Sequence, residues 1–129
     1  MKTYLDSGVL IAAFRAEGDL GQRALKVLDD ETNEFVSSVF VKLETLPKAT
    51  CLNRSVEVEF YQTFFESVGS WAQNLELIVE KASYVSRQYG LAAMDDLHIA
   101  AAMTAKAEEF VTTKRITKPM FRVTKLRVE

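Results

Sequence analysis

Several features that would assign this chain to a class at once are scarce in it. A single cysteine among 129 residues excludes an intramolecular disulfide framework and a zinc site built from cysteines. The formal charge of -2 does not indicate a strongly basic surface, so any bound nucleic acid must be held locally. No apolar run reaches the roughly 18 residues of a membrane helix, and the chain does not start with a signal-peptide pattern. We therefore expect a soluble, cytoplasmic protein without a membrane partner.

The composition and the absence of a linker predict a single domain over residues 1–129. Hydrophobic residues make up 48% of the chain, which is enough to fill one core, and there is no repeat or low-complexity tract. The lone Cys51 is interpreted as a small buried hydrophobe in a reducing compartment.

Short β-like runs alternate with helical ones along the chain. The pattern predicts helices at 7–14, 20–28, 38–46, 53–68, 75–89 and 95–106, and strands at 3–6, 34–37, 71–72, 109–112 and 121–128. We expect Ser37 or Ser38 to cap the third helix, Pro47 to bend or end it, and Gly90 to cap the fifth. Strands separated by helices imply an α/β fold with a mostly parallel sheet and right-handed crossovers.

Three acidic residues stand where packing alone would not put them. Asp6 ends the first apolar run, Glu44 lies in the second turn of the third helix, and Asp95 opens an alanine-rich helix. Ligands of open parallel sheets bind beyond the carboxyl ends of the strands, so we expect these acids to converge there. Converging carboxylates repel one another, and Mg²⁺ or Mn²⁺ relieves that repulsion. The chemistry that fits such a site is phosphodiester hydrolysis, in which metal ions activate water and stabilise the leaving oxyanion.

Each acid also has an ordinary structural interpretation. Asp6 can be a helix cap, Glu44 a solvated helix residue, and Asp95 a favourable charge at a helix N-terminus. Asp96 is interpreted as structural, because on a helix it points about 100° away from its neighbour. His98, one turn into a buried helix, is interpreted as a packed and hydrogen-bonded histidine rather than a ligand or general base.

Four segments in order carry a resemblance to a known family. They are YLDS at 4–7, SSVFVKLE at 37–44, AMDDLHIAAA at 93–102 and FVTT at 110–113. Together they resemble a PIN domain, the fold of VapC-type toxin ribonucleases, over nearly the whole chain. The resemblance implies a three-layer α/β/α fold with a central parallel sheet and a metal-dependent nuclease that cleaves single-stranded RNA. It also implies a homodimer and, in toxin forms, inhibition by a small antitoxin.

The same resemblance assigns roles to individual residues. It makes Asp6, Glu44 and Asp95 the catalytic metal ligands, with Ser7 and Thr112 as polar neighbours that orient a ligand or water. The family's fourth acid falls two residues after the threonine, where this chain has Lys114. An ammonium group cannot ligate a metal ion and repels one. Two hypotheses therefore stand: a Mg²⁺- or Mn²⁺-dependent endoribonuclease, and a catalytically weakened or inactive PIN-like module that binds RNA or protein.

Basic and aromatic residues offer further candidate surfaces. The basic residues that could contact RNA phosphate are Lys114, Arg115, Lys48 and Arg54. They could equally be ordinary solvated residues at the edge of the fold. The aromatic face of the helix at 53–68 fits the core, and its width leaves room for a homodimer interface.

Overall fold

The sheet has five short strands in the part of the chain that the structure describes. A computed structural model describes residues 1–114 and, beyond them, the backbone of a strand at 127–128. The strands are β1 (Lys2–Leu5), β2 (Glu34–Ser38), β3 (Ser70–Ala72), β4 (Glu109–Val111) and β5 (Arg127–Val128).

Six helices connect these strands within residues 1–114. They are α1 (Ser7–Arg15), α2 (Gly18–Asp29), α3 (Val39–Cys51), α4 (Ser55–Ser67), α5 (Leu75–Tyr89) and α6 (Ala93–Thr104). The α/β class, the order of elements and a parallel sheet are confirmed. The predicted strand at 121–128 is seen only at its end, since residues 115–126 lie outside the description.

All strand pairs are parallel, and the sheet grows in two directions from β1. The spatial order is β3-β2-β1-β4-β5. The chain builds outward through β2 and β3, and then returns to place β4 on the other side of β1. Strand order therefore reverses between β1 and β4, which is the place where α/β sheets hold their ligands.

Helices cover both faces of the sheet. Tyr4 of β1 lies against His98 of α6, with ring centroids 5.8 Å apart. Phe35 of β2 instead contacts Phe64 of α4 at 5.4 Å. Because Phe35 pairs in register with Thr3, the neighbour of Tyr4, the two aromatic residues point to opposite faces. The three-layer α/β/α arrangement is thereby confirmed.

Local sequence explains where several helices begin and end. Asn74 caps α5, accepting a hydrogen bond of 3.1 Å from the backbone N–H of Leu77 through its side-chain oxygen. Gly90 ends the same helix with a φ of 68°, the left-handed conformation that glycine adopts without steric cost. Ser38 occupies the N-cap position of α3, but its side chain makes no capping hydrogen bond.

The prediction that Cys51 is buried is wrong, because this residue is exposed. Pro47 does not end α3, which continues to Cys51, so the bend is the part of the expectation that stays a prediction. A proline in a helix deprives the carbonyl four residues earlier of its partner, and here that carbonyl belongs to Leu43. Both Leu43 and Pro47 are exposed, so water can satisfy this carbonyl. Continuation past the proline then carries Cys51 onto the solvent side.

The aromatic face of α4 belongs to the core. Tyr61, Phe64 and Phe65 are buried, and Phe60 is half-buried. Apolar residues that remain exposed on α3 and α4 include Val39, Leu43 and Val56. The homodimer stays a prediction.

None of the helices in the described residues combines the length and the apolar character needed to cross a bilayer.

Candidate metal centre

Asp6 is a buried carboxylate at the carboxyl end of β1, next to the place where the strand order reverses. It follows β1 and takes the N-cap position of α1, yet its side chain caps nothing. Its Oδ2 accepts a hydrogen bond of 2.8 Å from Oγ1 of Thr112, which follows β4. The residue is only 2% exposed, and within residues 1–114 no lysine or arginine pairs with it. A buried carboxylate held by hydroxyl groups is a site that attracts a cation.

Glu44 reaches the same place from the second turn of α3. Its Oε1 accepts a hydrogen bond of 2.9 Å from Oγ of Ser7 and another from Nε2 of His98. The hydrogen bond from His98 lowers the pKa of Glu44 and, with help from Ser7, outweighs the burial that raises it. The side chain is 34% exposed, so this carboxylate is ionised at neutral pH and open to solvent on one side.

The serine hydroxyl lies between the two acids. Oγ of Ser7 is 3.4 Å from Oδ1 of Asp6 and 2.9 Å from Oε1 of Glu44. Because a serine has one hydroxyl proton, it donates to one carboxylate at a time, and Glu44 is the closer. Ser7 contacts both acids, as Thr112 contacts Asp6, and the predicted role of these hydroxyl groups in orienting a ligand or water stays a prediction.

One oxygen each of Asp6 and Glu44 and one ring nitrogen of His98 lie within 4.8 Å of one another. Carboxylate oxygens are the ligands that Mg²⁺ and Mn²⁺ prefer, so the donors present fit a hard divalent cation. The sequence assigned His98 to packing. The structure does bury it among hydrogen bonds, but it also brings it against Glu44, 3.8 Å from Oδ1 of Asp6. Its spacing of three from Asp95, one helical turn, is the signal in the sequence for a residue on the same face.

Asp95 is not a member of this group. Its Oδ1 lies 3.6 Å from Nζ of Lys114, and its side chain is 13% exposed. The backbone N–H of Lys114 in turn donates to Oγ1 of Thr112 at 3.1 Å. Asp95 thus connects to Asp6 through Lys114 and Thr112. The positive charge of Lys114 also contributes, as the smallest of the causes, to the lowered pKa of Glu44. The ligand roles of Asp6, Glu44 and Asp95 stay predictions.

The predicted RNA contacts lie in different settings. Arg54 forms an ion pair of 3.7 Å with Glu57, and Lys48 is exposed near the end of α3. Lys42 lies over the ring of Trp71, 4.5 Å from its centroid, which is a cation–π contact. Arg115 lies outside the described residues.

Comparison with known proteins gives a family match and a set of similar folds. Residues 3–116 match the PIN domain family. Among curated proteins, none matches the chain significantly.

Three solved structures have similar folds. A chain of VapBC2 from Rickettsia felis, crystallised with a DNA fragment from its promoter, is 17% identical with a TM-score of 0.73, covering 100% of this chain and 98% of that one. A toxin-antitoxin complex from Klebsiella pneumoniae is 16% identical with a TM-score of 0.74, covering 96% and 94%. VapBC-1 from nontypeable Haemophilus influenzae is 17% identical with a TM-score of 0.73, covering 100% and 97%. At these identities the similarity shows the fold.

Asp96 is a buried acid of α6 that directly follows Asp95 in the sequence. Its Oδ1 has no hydrogen-bond partner in residues 1–114, and burial raises the pKa of its carboxyl group to about 6. The fold therefore holds the proton more tightly than the unfolded chain does. The contribution of Asp96 to the stability of the fold is therefore complete below the pKa of this residue in the unfolded chain, near 4, and is lost as the pH rises through about 6.

We expect Asp96→Asn to remove this part of the pH dependence, because asparagine has nearly the same shape and does not ionise. The melting temperature of the variant relative to wild type should rise by about 3 °C or more between pH 4 and pH 7.5. Thermal denaturation of both proteins across this range measures the difference. A difference that stays constant with pH would mean that Asp96 titrates normally.

Proposed function

Because the chain belongs to the PIN domain family, whose members are typically nucleases, we propose that it is a metal-dependent endoribonuclease of toxin-antitoxin type. The proposed reaction is hydrolysis of phosphodiester bonds in single-stranded RNA. The observation that carries the proposal is the meeting of Asp6 and Glu44 at the carboxyl ends of the strands, where Ser7 contacts both carboxylates.

The proposed cofactor is Mg²⁺ or Mn²⁺. Asp6 and Glu44 would supply carboxylate oxygens to it, and Asp95 would supply a third when it is not paired with Lys114. A bound divalent cation activates water and offsets the negative charge that develops on the phosphate oxygens. Thr112 keeps the Asp6 carboxylate oriented, and the burial of this carboxylate leaves a cation as the charge that best offsets it.

Lys114 has two roles in this proposal. Its ammonium group neutralises Asp95 at 3.6 Å, so it takes the place of a second cation. It is also 43% exposed, which leaves it able to contact an RNA phosphate as a point charge. Lys48, Arg54 and Arg115 are proposed to extend this contact along the RNA backbone.

The pairing of Lys114 with Asp95 also favours a second candidate function. A site with two free acids and one neutralised acid binds cations less strongly than a site with four acids. The alternative is therefore a catalytically weakened or inactive PIN-like module that binds RNA or a protein partner.

The proposed partners follow from the family and from the similar folds. Two of the similar structures are named VapBC and one is described as a toxin-antitoxin complex, which supports a small antitoxin as the protein partner. A homodimer and a cytoplasmic location belong to the same proposal. A short reading frame just upstream that encodes a small DNA-binding protein would support the toxin assignment.

Asp6→Asn is expected to abolish cleavage, because it removes the buried negative charge and keeps the size of the side chain. The assay is cleavage of single-stranded RNA with Mg²⁺ or Mn²⁺, with the loss expected to exceed about a hundredfold. Asp19→Asn is the matched control, since Asp19 is an exposed acid of α2 that forms an ion pair with Arg23. Absence of cleavage by the wild-type protein with either metal would favour the binding module.

Lys114→Asp is expected to strengthen Mn²⁺ binding and raise cleavage. The substitution releases Asp95 and adds a carboxylate, and each added carboxylate ligand favours a hard cation. Lys114→Gln separates the two effects, since it releases Asp95 without adding a ligand and should fall between wild type and Lys114→Asp. Calorimetric titration with Mn²⁺ measures affinity and stoichiometry. Unchanged binding and cleavage in both variants would show that Lys114 does not occupy the fourth acidic position.

A further inference from the structure

A chain of hydrogen bonds connects the interior of the protein to Glu44. Oγ of Ser38 lies 2.7 Å from the hydroxyl of Tyr4, and that hydroxyl lies 2.7 Å from Nδ1 of His98. Nε2 of the same imidazole contacts Oε1 of Glu44 directly. Ser38, Tyr4 and His98 are all buried, whereas Glu44 is partly exposed. The buried part of this series of hydrogen bonds therefore ends at Glu44, which is more exposed to solvent than Asp6.

We propose that His98 is a positioning residue for Glu44: its Nε2–H group holds Oε1, leaves Oε2 for the cation, and is not itself a metal ligand. The inference rests on the proposed function, because it concerns the same site. It assigns a role in the site to a residue that the sequence pattern predicts only to be packed and hydrogen-bonded.

The direction of the hydrogen bonds follows from the partner of each atom. Glu44 is ionised and can only accept, so Nε2 of His98 must carry a proton, in the neutral ring as well as in the imidazolium. In the neutral ring Nδ1 is then an acceptor, and Tyr4 donates to it. Burial raises the pKa of Tyr4, so its hydroxyl keeps the proton that this requires. Ser38 completes the order by donating to the Tyr4 oxygen.

The packing around the imidazole leaves it little freedom to turn. Tyr4 is stacked on Phe110 with centroids 5.4 Å apart, and the ring of Phe40 meets His98 edge-on at 6.5 Å. A histidine fixed in this way presents its N–H group at one place. This matters for Glu44, whose long side chain has several rotamers and would lose entropy on binding a cation if it were free.

The two hydrogen bonds to Glu44 fall on one oxygen. His98 and Ser7 both donate to Oε1, and Oε2 has no hydrogen-bond partner in the described part of the chain. The carboxylate is therefore oriented with one oxygen engaged and the other available. Ligation by Nε2 would require a free lone pair on that nitrogen, but Nε2 is in direct contact with Oε1 and donates its proton to it.

Two substitutions of His98 separate positioning from ligation. Gln places its amide N–H2 close to where Nε2 lies, so His98→Gln keeps a donor to Glu44 but offers no imidazole lone pair. His98→Ala removes both. For a positioning residue, we expect calorimetric Mn²⁺ affinity to fall about tenfold or more in His98→Ala and to stay within about threefold of wild type in His98→Gln. Equal losses in both variants would overturn the proposal.

The metal series and the apo protein give two further readouts. A lost nitrogen ligand weakens Ni²⁺ and Co²⁺ binding much more than Mg²⁺ binding, whereas a lost positioning group weakens all of them to a similar degree. In the metal-free wild type, ¹⁵N NMR of the imidazole should show a protonated Nε2. A ring protonated at Nδ1 alone would overturn the proposal even if His98→Ala failed to fold.

The outcome for His98 can be separated from that for the proposed function. Asp6→Asn tests the metal site without involving His98. If wild type binds Mn²⁺ and Asp6→Asn does not, the site stands whatever the His98 variants show. If wild type binds no divalent cation, the proposed function fails, and the NMR measurement alone decides whether His98 holds Glu44.

Discussion

The carboxylate of Asp6 is buried at the carboxyl end of β1, where the strand order reverses, and the arrangement of the site depends on keeping this carboxylate there. Burial of an ionised carboxylate costs several kcal/mol unless its oxygens are satisfied. Thr112 donates a hydrogen bond to one oxygen of Asp6, and the hydroxyl of Ser7 approaches the other. Ser7 comes just after β1, as Asp6 does, and Thr112 comes just after the neighbouring strand β4. The parallel pairing of β1 with β4 brings these ends together, so sheet topology and site geometry are one constraint.

The hydrophobic core takes part in the site through His98. The imidazole packs between Tyr4 and Phe40, in contact with the sheet on one side and with α3 on the other. The same ring holds Glu44, so a partly exposed acid of α3 is oriented by a residue of the core. A rigid neighbour of this kind orients a ligand more precisely than a surface side chain does, because its own rotamer is locked by packing.

Much of the fold and part of the site could be predicted from the sequence. Strand and helix positions followed from the apolar periodicity, and Asp6 and Glu44 from the rule that ligands bind at the carboxyl ends of parallel strands. Pro47 does not end α3, because the rule for proline is local and both Leu43, whose carbonyl loses its helical partner, and Pro47 are exposed to solvent. The pairing of Asp95 with Lys114 depends on side-chain rotamers and on the path of the chain after β4, which no periodicity encodes.

His98 shows why a correct local interpretation can be incomplete. The sequence predicted a packed and hydrogen-bonded histidine, and the structure has one. The identity of its partners could not be predicted, because Tyr4 and Glu44 are 94 and 54 residues away along the chain. Only the tertiary arrangement of β1, α3 and α6 brings the three together.

The central claim is that Asp6 and the free oxygen of Glu44 hold one hard cation, with His98 behind Glu44. An anomalous difference map from crystals soaked in Mn²⁺ tests this most directly, since Mn²⁺ scatters anomalously and Mg²⁺ does not to a useful degree. The account predicts one peak within ligand distance, about 2.2 Å, of a carboxylate oxygen of Asp6 and of Oε2 of Glu44, with Oε1 still in contact with Nε2 of His98. A peak ligated by Nε2 of His98, or no peak beside Asp6, would contradict it.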